Sequence, residues 1–439
     1  MKVLKSTIPA ILLSLAAVSP ALSQHSAPAA AAPGTAKPPA ADDCKSLRQK
    51  ALLTGGPDVL RLLTEAQAVC RKAQQAVSRT EQPVPWAVAT LDLANVTADR
   101  AIIGGGGAST ALQGLDEAVA LDRQVLAELS AERSREVWTA AQMNLGSALQ
   151  SRGIRTNGEA GMPYLQEAAD HLRQALHLLD AVKEPQNWAE TQNNLGLALA
   201  ELGARKGKPA GNALLEEAFQ AFGEVQKVYT PEKQPHRWSE ARLAQARVLL
   251  AVERFNDADP VLQEVTDKDP DNRRALLTYV SLLGGRLERP ADAATLTAKW
   301  LERHPDDLDV QILNLENLYA SGRLAESRIR AVGLSGKATG LPPGIRVSLM
   351  GYEIATALAT GSKDAPEHLG SLITLVAAQP ADFRIAGNFA GSLRFIQSRQ
   401  DMRNSDWQIQ LFHALQNRNG RDAILADLRK LESDMAGTG

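Results

Sequence analysis

QNWAETQNNLGLALAELG, residues 186–203, is nearly repeated fifty residues earlier as EVWTAAQMNLGSALQSRG, residues 136–153. Asn144-Leu145-Gly146 answers to Asn194-Leu195-Gly196, and Gly153 to Gly203. Trp138, Trp188 and Trp238 recur every 50 residues, and Trp86 heads an earlier copy, PVPWAVATLDLANV, two residues out of step. Glu-Ala returns at 117–118, 167–168 and 217–218, each time with Leu115, Leu165 or Leu215 two residues ahead. A fixed period of this length marks stacked supersecondary units that bury their apolar faces against one another.

Each unit reads as two helices. Trp188, Leu195 and Leu199 share one face of the first at helical spacing. Gly196 keeps the adjoining surface small enough for a neighbouring helix to approach. In the second helix Ala218 and Phe222 stand at i, i+4, and TPEKQP ends it because proline cannot continue a helix. Composition agrees: aromatic residues are 4% of the chain and Ala and Leu dominate, whereas Val and Ile are not grouped into alternating strand-like runs.

Leu195, Gly196, Ala198, Ala218, Phe222 and Pro231 resemble the tetratricopeptide repeat, whose pattern is Leu-Gly, a small residue two on, then Ala, an aromatic and Pro in the second helix. The family unit is about 34 residues, so the 50-residue copies are lengthened. We place the excess between the two helices, in IRTNGEAGMP and ARKGKPAGNA. Farther on the length is ordinary: Ala246, Ala258, Pro270, Ala293, Pro305 and Ser327 keep the family's spacing. The resemblance covers roughly residues 82–340. It implies an all-α, right-handed superhelical solenoid of antiparallel helix pairs. The segments expected are a helical hairpin over 42–80, long repeats over 81–234, ordinary repeats over 235–340, and irregular helical repeats with a cap over 341–439.

The amino terminus has the layout of a secretory signal peptide: Lys2 and Lys5, an apolar run too short to span a bilayer, then Ala21 and Ser23 before Gln24. Cleavage after Ser23 is expected, with a spacer rich in Ala and Pro over 24–41. The chain is therefore expected to be periplasmic or secreted, with no membrane span. Its net charge of −2 gives no basic surface for nucleic acid.

Several motifs admit a chemical reading that the period argues against. The run Gly104–Gly107 precedes Ser109 and Thr110, but a phosphate loop needs Gly-Lys-Ser/Thr at the right spacing after a strand. Counted by fifty, Gly107 answers to Asn157 and Gly207, so the run is a connection between two helices. Asp267, Asp269 and Asp271 lack the glycine and glutamate of a calcium loop and read as turn and helix-capping acids, as does HPDD at 304–307. The histidines are dispersed, and no metal or cofactor is expected. Cys44 and Cys70 flank the turn TGGP of a helical hairpin, which brings them to the same level. An exported chain would join them as a disulfide, the alternative being two buried thiols. Arg152, Arg155, Arg205, Lys206 and Lys208 lie in equivalent loops, along one edge that an anionic polymer could contact. The tryptophans, at helix starts, are read as wedges between repeats.

The resemblance implies a concave face lined by first helices, which binds a protein or an extended peptide. It would include Asn144, Ser147 and Gln150 in one copy and Glu190, Asn193, Asn194 and Leu197 in the next. Asparagine suits such a face because it offers both a donor and an acceptor to a peptide backbone. The expected function is a non-enzymatic scaffold for protein–protein interactions in the bacterial cell envelope, serving assembly, secretion or polysaccharide export. The competing readings are a binder of an anionic envelope polymer and an enzyme with its site in the carboxy-terminal region. Partner identity and oligomeric state are not legible.

Overall fold

The computed structural model describes residues 40–54, 56, 58–104, 107–336, 340–385, 387, 389–399 and 401–437. The expected signal peptide, the spacer up to residue 39, and Gly105 and Gly106 lie outside the described residues. Among those described, every element of regular structure is a helix. The chain divides into two compact units, Met1–Val261 and Leu262–Gly439, with the boundary inside one helix, Phe255–Lys268.

The first unit is a series of antiparallel helix pairs. They are α1 (Ala40–Thr54) with α2 (Asp58–Gln75), α3 (Pro83–Ile103) with α4 (Ala108–Glu128), α5 (Arg135–Arg155) with α6 (Met162–Leu178), and α7 (Pro185–Lys206) with α8 (Asn212–Val225). Then α9 (Pro235–Ala251) leads into α10 (Phe255–Lys268). The period has a backbone cause. The N–H groups of Trp86, Trp138, Trp188 and Trp238 donate to the carbonyls of Gln82, Ser134, Glu184 and Gln234 at 2.9–3.0 Å. Each tryptophan therefore ends the first turn of its helix. Those four carbonyl residues in turn donate to Ser78, Ser130, Asp180 and Thr230 at 2.8–3.2 Å, so all four linkers make the same turn. Proline at the first position of α3, α7 and α9 presets the helical φ where no N–H is needed.

The two helices of a pair meet through glycine. A Cβ on Gly146 would lie 2.5 Å from Cγ of Leu172, and one on Gly203 would lie 2.9 Å from the carbonyl oxygen of Gly211. Leu172, Phe222, Leu215 and Ala218 fill the space so released and are buried. These contacts make the close helix pair that the repeat resemblance implies. The extra length is not confined to the segment between the two helices, as the sequence reading expected. More than half of it lies in the first helices, where α5 has 21 residues and α7 has 22, against 13 in each of the first helices of the ordinary repeats, Arg273–Gly285 and Leu308–Ala320, and the rest is spread over α6 and the connections. Ile154-Arg155 and Ala204–Lys206 extend the helix because no breaker intervenes before Asn157-Gly158 or Gly207.

The two-residue slip of Trp86 is also located. Trp86 to Trp138 is 52 residues whereas Leu115 to Leu165 is 50, and α3 and α5 are each 21 residues long. The glycine connection 104–107 is shorter than 156–161, so the surplus falls at the start of α4, which begins at Ala108, seven residues before Leu115, whereas α6 begins at Met162, three before Leu165.

Second helices are joined by ion pairs in register. Arg71 meets Glu117 at 2.5 Å, Arg123 meets Glu167 at 2.5 Å, and Arg173 meets Glu217 through two bonds of 2.9 and 3.0 Å. The next rung would need a cation fifty residues beyond Arg173, where Gly223 stands.

The second unit pairs α11 (Arg273–Gly285) with α12 (Pro290–Arg303), α13 (Leu308–Ala320) with α14 (Leu324–Ser335), α15 (Pro343–Thr360) with α16 (Ala365–Ala377), and α18 (Ser405–Leu415) with α19 (Arg421–Ala436). Helix α15 packs on α18, and α16 on α19. The remaining helix, α17 (Ala390–Ser398), departs from the expected continuation of repeats. It turns back onto α13: Arg394 donates to the carbonyl of Gly284 at 3.0 Å, and Phe395 lies edge-on to Tyr319. A cluster of buried rings, Tyr319, Tyr352, Phe389 and Phe412, forms the centre of this unit. Of the expected acidic caps the HPDD turn supplies one, Asp307, whereas the cap of α11 is Asn272 rather than one of the acids at 267, 269 and 271. Asn272 accepts from the N–H of Ala275 at 3.1 Å, and Asp307 accepts from Val310 at 3.3 Å. Asp271 pairs instead with Arg303 and His304.

Candidate functional site

Alignment on the tryptophans fixes one row along the first helices. Six residues after Trp86, Trp138 and Trp188 stand Asp92, Asn144 and Asn194. Asn144 and Asn194 are 5% exposed, and the Oδ1 of each is buried without a hydrogen-bond partner among the described residues. Buried polar atoms are nearly always paired, so two in-phase exceptions mark an acceptor row. The first member differs in charge. Burial pushes the Asp92 carboxyl up to about 6, while Lys45 at 3.6 Å and Arg48 pull it the other way. Helix α1 supplies both cations, and Arg48 also holds Asp99 at 2.6 Å. Asp92 escaped the sequence reading, although counting six residues from Trp86 would have found it.

The other candidate residues separate by exposure. Gln150, Glu190 and Leu197 are buried, whereas Ser147 and Asn193 are partly exposed. Glu190 is bound by Arg237 at 2.7 Å, and Arg237 also donates to Tyr229 at 2.9 Å. The face is therefore closer and drier than an open groove lined by all seven side chains. Trp86 and Trp238 are buried, while Trp138 and Trp188 are only partly so.

The basic edge is largely committed to internal partners. Arg152 holds Asp116 at 2.7 Å, and Lys208 holds Glu253 at 3.3 Å. Arg205 binds Glu201 and reaches back to the carbonyls of Thr156, Gly158 and Ile154 at the end of α5. Arg155, in the same phase as Arg205, donates to Ser151, and burial lowers its pKa. Lys206 is exposed.

Cys44 and Cys70 are joined, with Cα atoms 5.0 Å apart, between α1 and α2. Asp122 on α4 stands where the next two repeats have Leu172 and Phe222. It is 1% exposed, its Oδ1 has no partner among the described residues, and burial holds its pKa well above the usual carboxylate range. No group of three or more His, Cys, Asp or Glu suited to a metal ion occurs among the described residues. Among them, no helix is long and apolar enough to cross a membrane.

No family model matches the chain, and no curated protein matches it. Among solved structures it is similar to the assembly chaperone of RpL4 (Acl4, residues 1–338), with a TM-score of 0.41 and 14% identity over 68% of this chain and 99% of that one. It is also similar to yeast Tom70, with a TM-score of 0.26 and 12% identity over 90% and 96%. A third is the TPR domain of P58(IPK), at 0.21 and 15% over 90% and 98%.

Proposed function

We propose that the chain is a non-enzymatic scaffold that holds protein or peptide partners along the first-helix face of its long repeats. The in-phase amides of Asn144 and Asn194 carry this reading. Each leaves an acceptor unpaired, and a half-turn of the side-chain amide exchanges its donor and acceptor. The pair could thus receive two groups of an extended backbone one repeat apart. The layout of the first 23 residues supports export of this scaffold to the bacterial envelope, where assembly, secretion and polysaccharide export are the processes it would serve. The internal pairing of Arg152, Arg205 and Lys208 leaves little cationic surface for an anionic polymer.

Crosslinking in the native envelope, followed by calorimetry with the captured partner, tests the proposal. Asn144→Ala with Asn194→Ala should weaken binding by about 1–3 kcal/mol per buried contact, with the helical signal at room temperature unchanged. Full affinity in the folded double variant would assign both residues to structure alone.

A further inference from the structure

Asparagine is followed by glycine twice in the chain, at 157–158 and 419–420. In this pair no side chain shields the backbone nitrogen that follows the asparagine amide, so the nitrogen can attack it. The fold treats the two copies differently.

Asn157 and Gly158 lie exposed in the link between α5 and α6. Asn157 is extended, at φ −68° and ψ 148°, and its side chain makes no capping bond to the short turn Gly158–Gly161 that follows. Gly158 stands at φ 62°, where glycine is unstrained. A Cβ there would meet nothing within 4 Å, and the Gly158 N–H donates to no partner among the described residues. One side chain of the next repeat holds the link. Arg205 donates to the carbonyls of Thr156 at 2.8 Å, Gly158 at 3.1 Å and Ile154 at 3.2 Å. The carbonyls on either side of Asn157 are therefore fixed while its own amide is free. At the second copy Gly420 is buried, and the place of its Cβ is 2.6 Å from the carbonyl oxygen of Ala381. The Asn419 N–H donates to Asn417 at 3.0 Å, and the Arg421 N–H to the same Ala381 carbonyl at 3.1 Å. That peptide has no room to turn.

We infer that Asn157 is a site of spontaneous deamidation and that Arg205 is the latch that sets its rate. The Gly158 nitrogen gives up its proton and bonds to Cγ of Asn157. The Cγ–Nδ2 bond breaks, and Nδ2 takes up a proton and leaves as ammonia. Water then opens the succinimide at either carbonyl, returning a proton to the Gly158 nitrogen and leaving aspartate or isoaspartate. Ring closure needs the peptide between Asn157 and Gly158 to swing out of its extended setting. Gly158 permits the swing, and the bonds from Arg205 on both sides oppose it. The product puts a carboxylate on the link, and its isoaspartyl form lengthens the main chain by one carbon between two carbonyls that Arg205 spans. A Cβ at Gly161 would strike both the Arg205 guanidinium and the Gly153 carbonyl, so the joint has no slack for the added atom.

Ageing the folded full chain at mildly alkaline pH, then digesting it and reading the peptides by mass spectrometry, tests the inference. The Asn157 peptide should convert severalfold faster than the Asn419 peptide, and Asn157→Gln should abolish conversion at that position. Arg205→Lys, which has one nitrogen in place of the fork, and Arg205→Ala should each speed Asn157 severalfold and leave Asn419 unchanged. Conversion at Asn157 no faster than at Asn419 would overturn the site. An unchanged or slower rate at Asn157 in the two Arg205 variants would overturn the latch, as would a matching rise at Asn419 in Arg205→Lys.

Discussion

A Cβ placed on Gly196 would lie 2.7 Å from Cε1 of Phe222. The two helices of the third long pair approach until the ring of one occupies the place of a side chain on the other. Gly196→Ala should therefore destabilise the protein by about 1–3 kcal/mol through overpacking. Urea denaturation is the check. An unchanged midpoint would mean that the ring moves aside freely.

The tryptophans should not behave alike. Trp238 is 4% exposed while Trp188 is only partly buried. Trp238→Ala is expected to cost about 3–5 kcal/mol, and Trp188→Ala clearly less. Paired melting curves would reveal the ranking, and a larger loss at Trp188 would contradict it.

Asp122→Asn should stabilise the chain near neutral pH. The folded carboxyl titrates well above its ordinary value. Its neutral form is fully compatible with the fold below the ordinary carboxylate range, and stability is lost as pH rises from there toward the folded value. The gain of the variant over wild type should thus grow from pH 4 to pH 7. A constant difference across that range would show that Asp122 does not ionise on unfolding.

Joining Cys44 to Cys70 closes a loop of 26 residues' separation, which stabilises by about 3–4 kcal/mol on the chain-entropy model. Reductant should lower the melting temperature of the wild type and leave a Cys44→Ser, Cys70→Ser variant unaffected. Alkylation of both thiols in the unreduced, denatured protein would show that the pair is open.

The repeats were legible because their signals are local. Tryptophan at a helix start, glycine facing Leu172 or Phe222, and matching linkers recur at a fixed interval, so comparing copies exposes them. The same comparison could have flagged Asp92 and Asp122, which break the pattern at positions where other copies have Asn or an apolar residue. Burial was less accessible, since Trp138 and Trp238 have equivalent positions but different neighbours. The fold-back of α17 left no periodic trace. It depends on single long-range meetings, such as Tyr352 with Ser392 and Arg394 with Gly284, separated by 40 and 110 residues.

The rungs Arg71–Glu117, Arg123–Glu167 and Arg173–Glu217 are half exposed, and each contributes at most about 1 kcal/mol. Their value lies in being interchangeable. If residues 135–184 were excised, Ser134 would lead into Pro185 through the same linker turn, and Arg123 would meet Glu217 in place of Glu167. The long repeat is in this sense a cassette with matching ends. Duplication or loss of one copy changes the reach of the array in whole steps, while the junction keeps the same kind of linker turn and the same kind of ion pair.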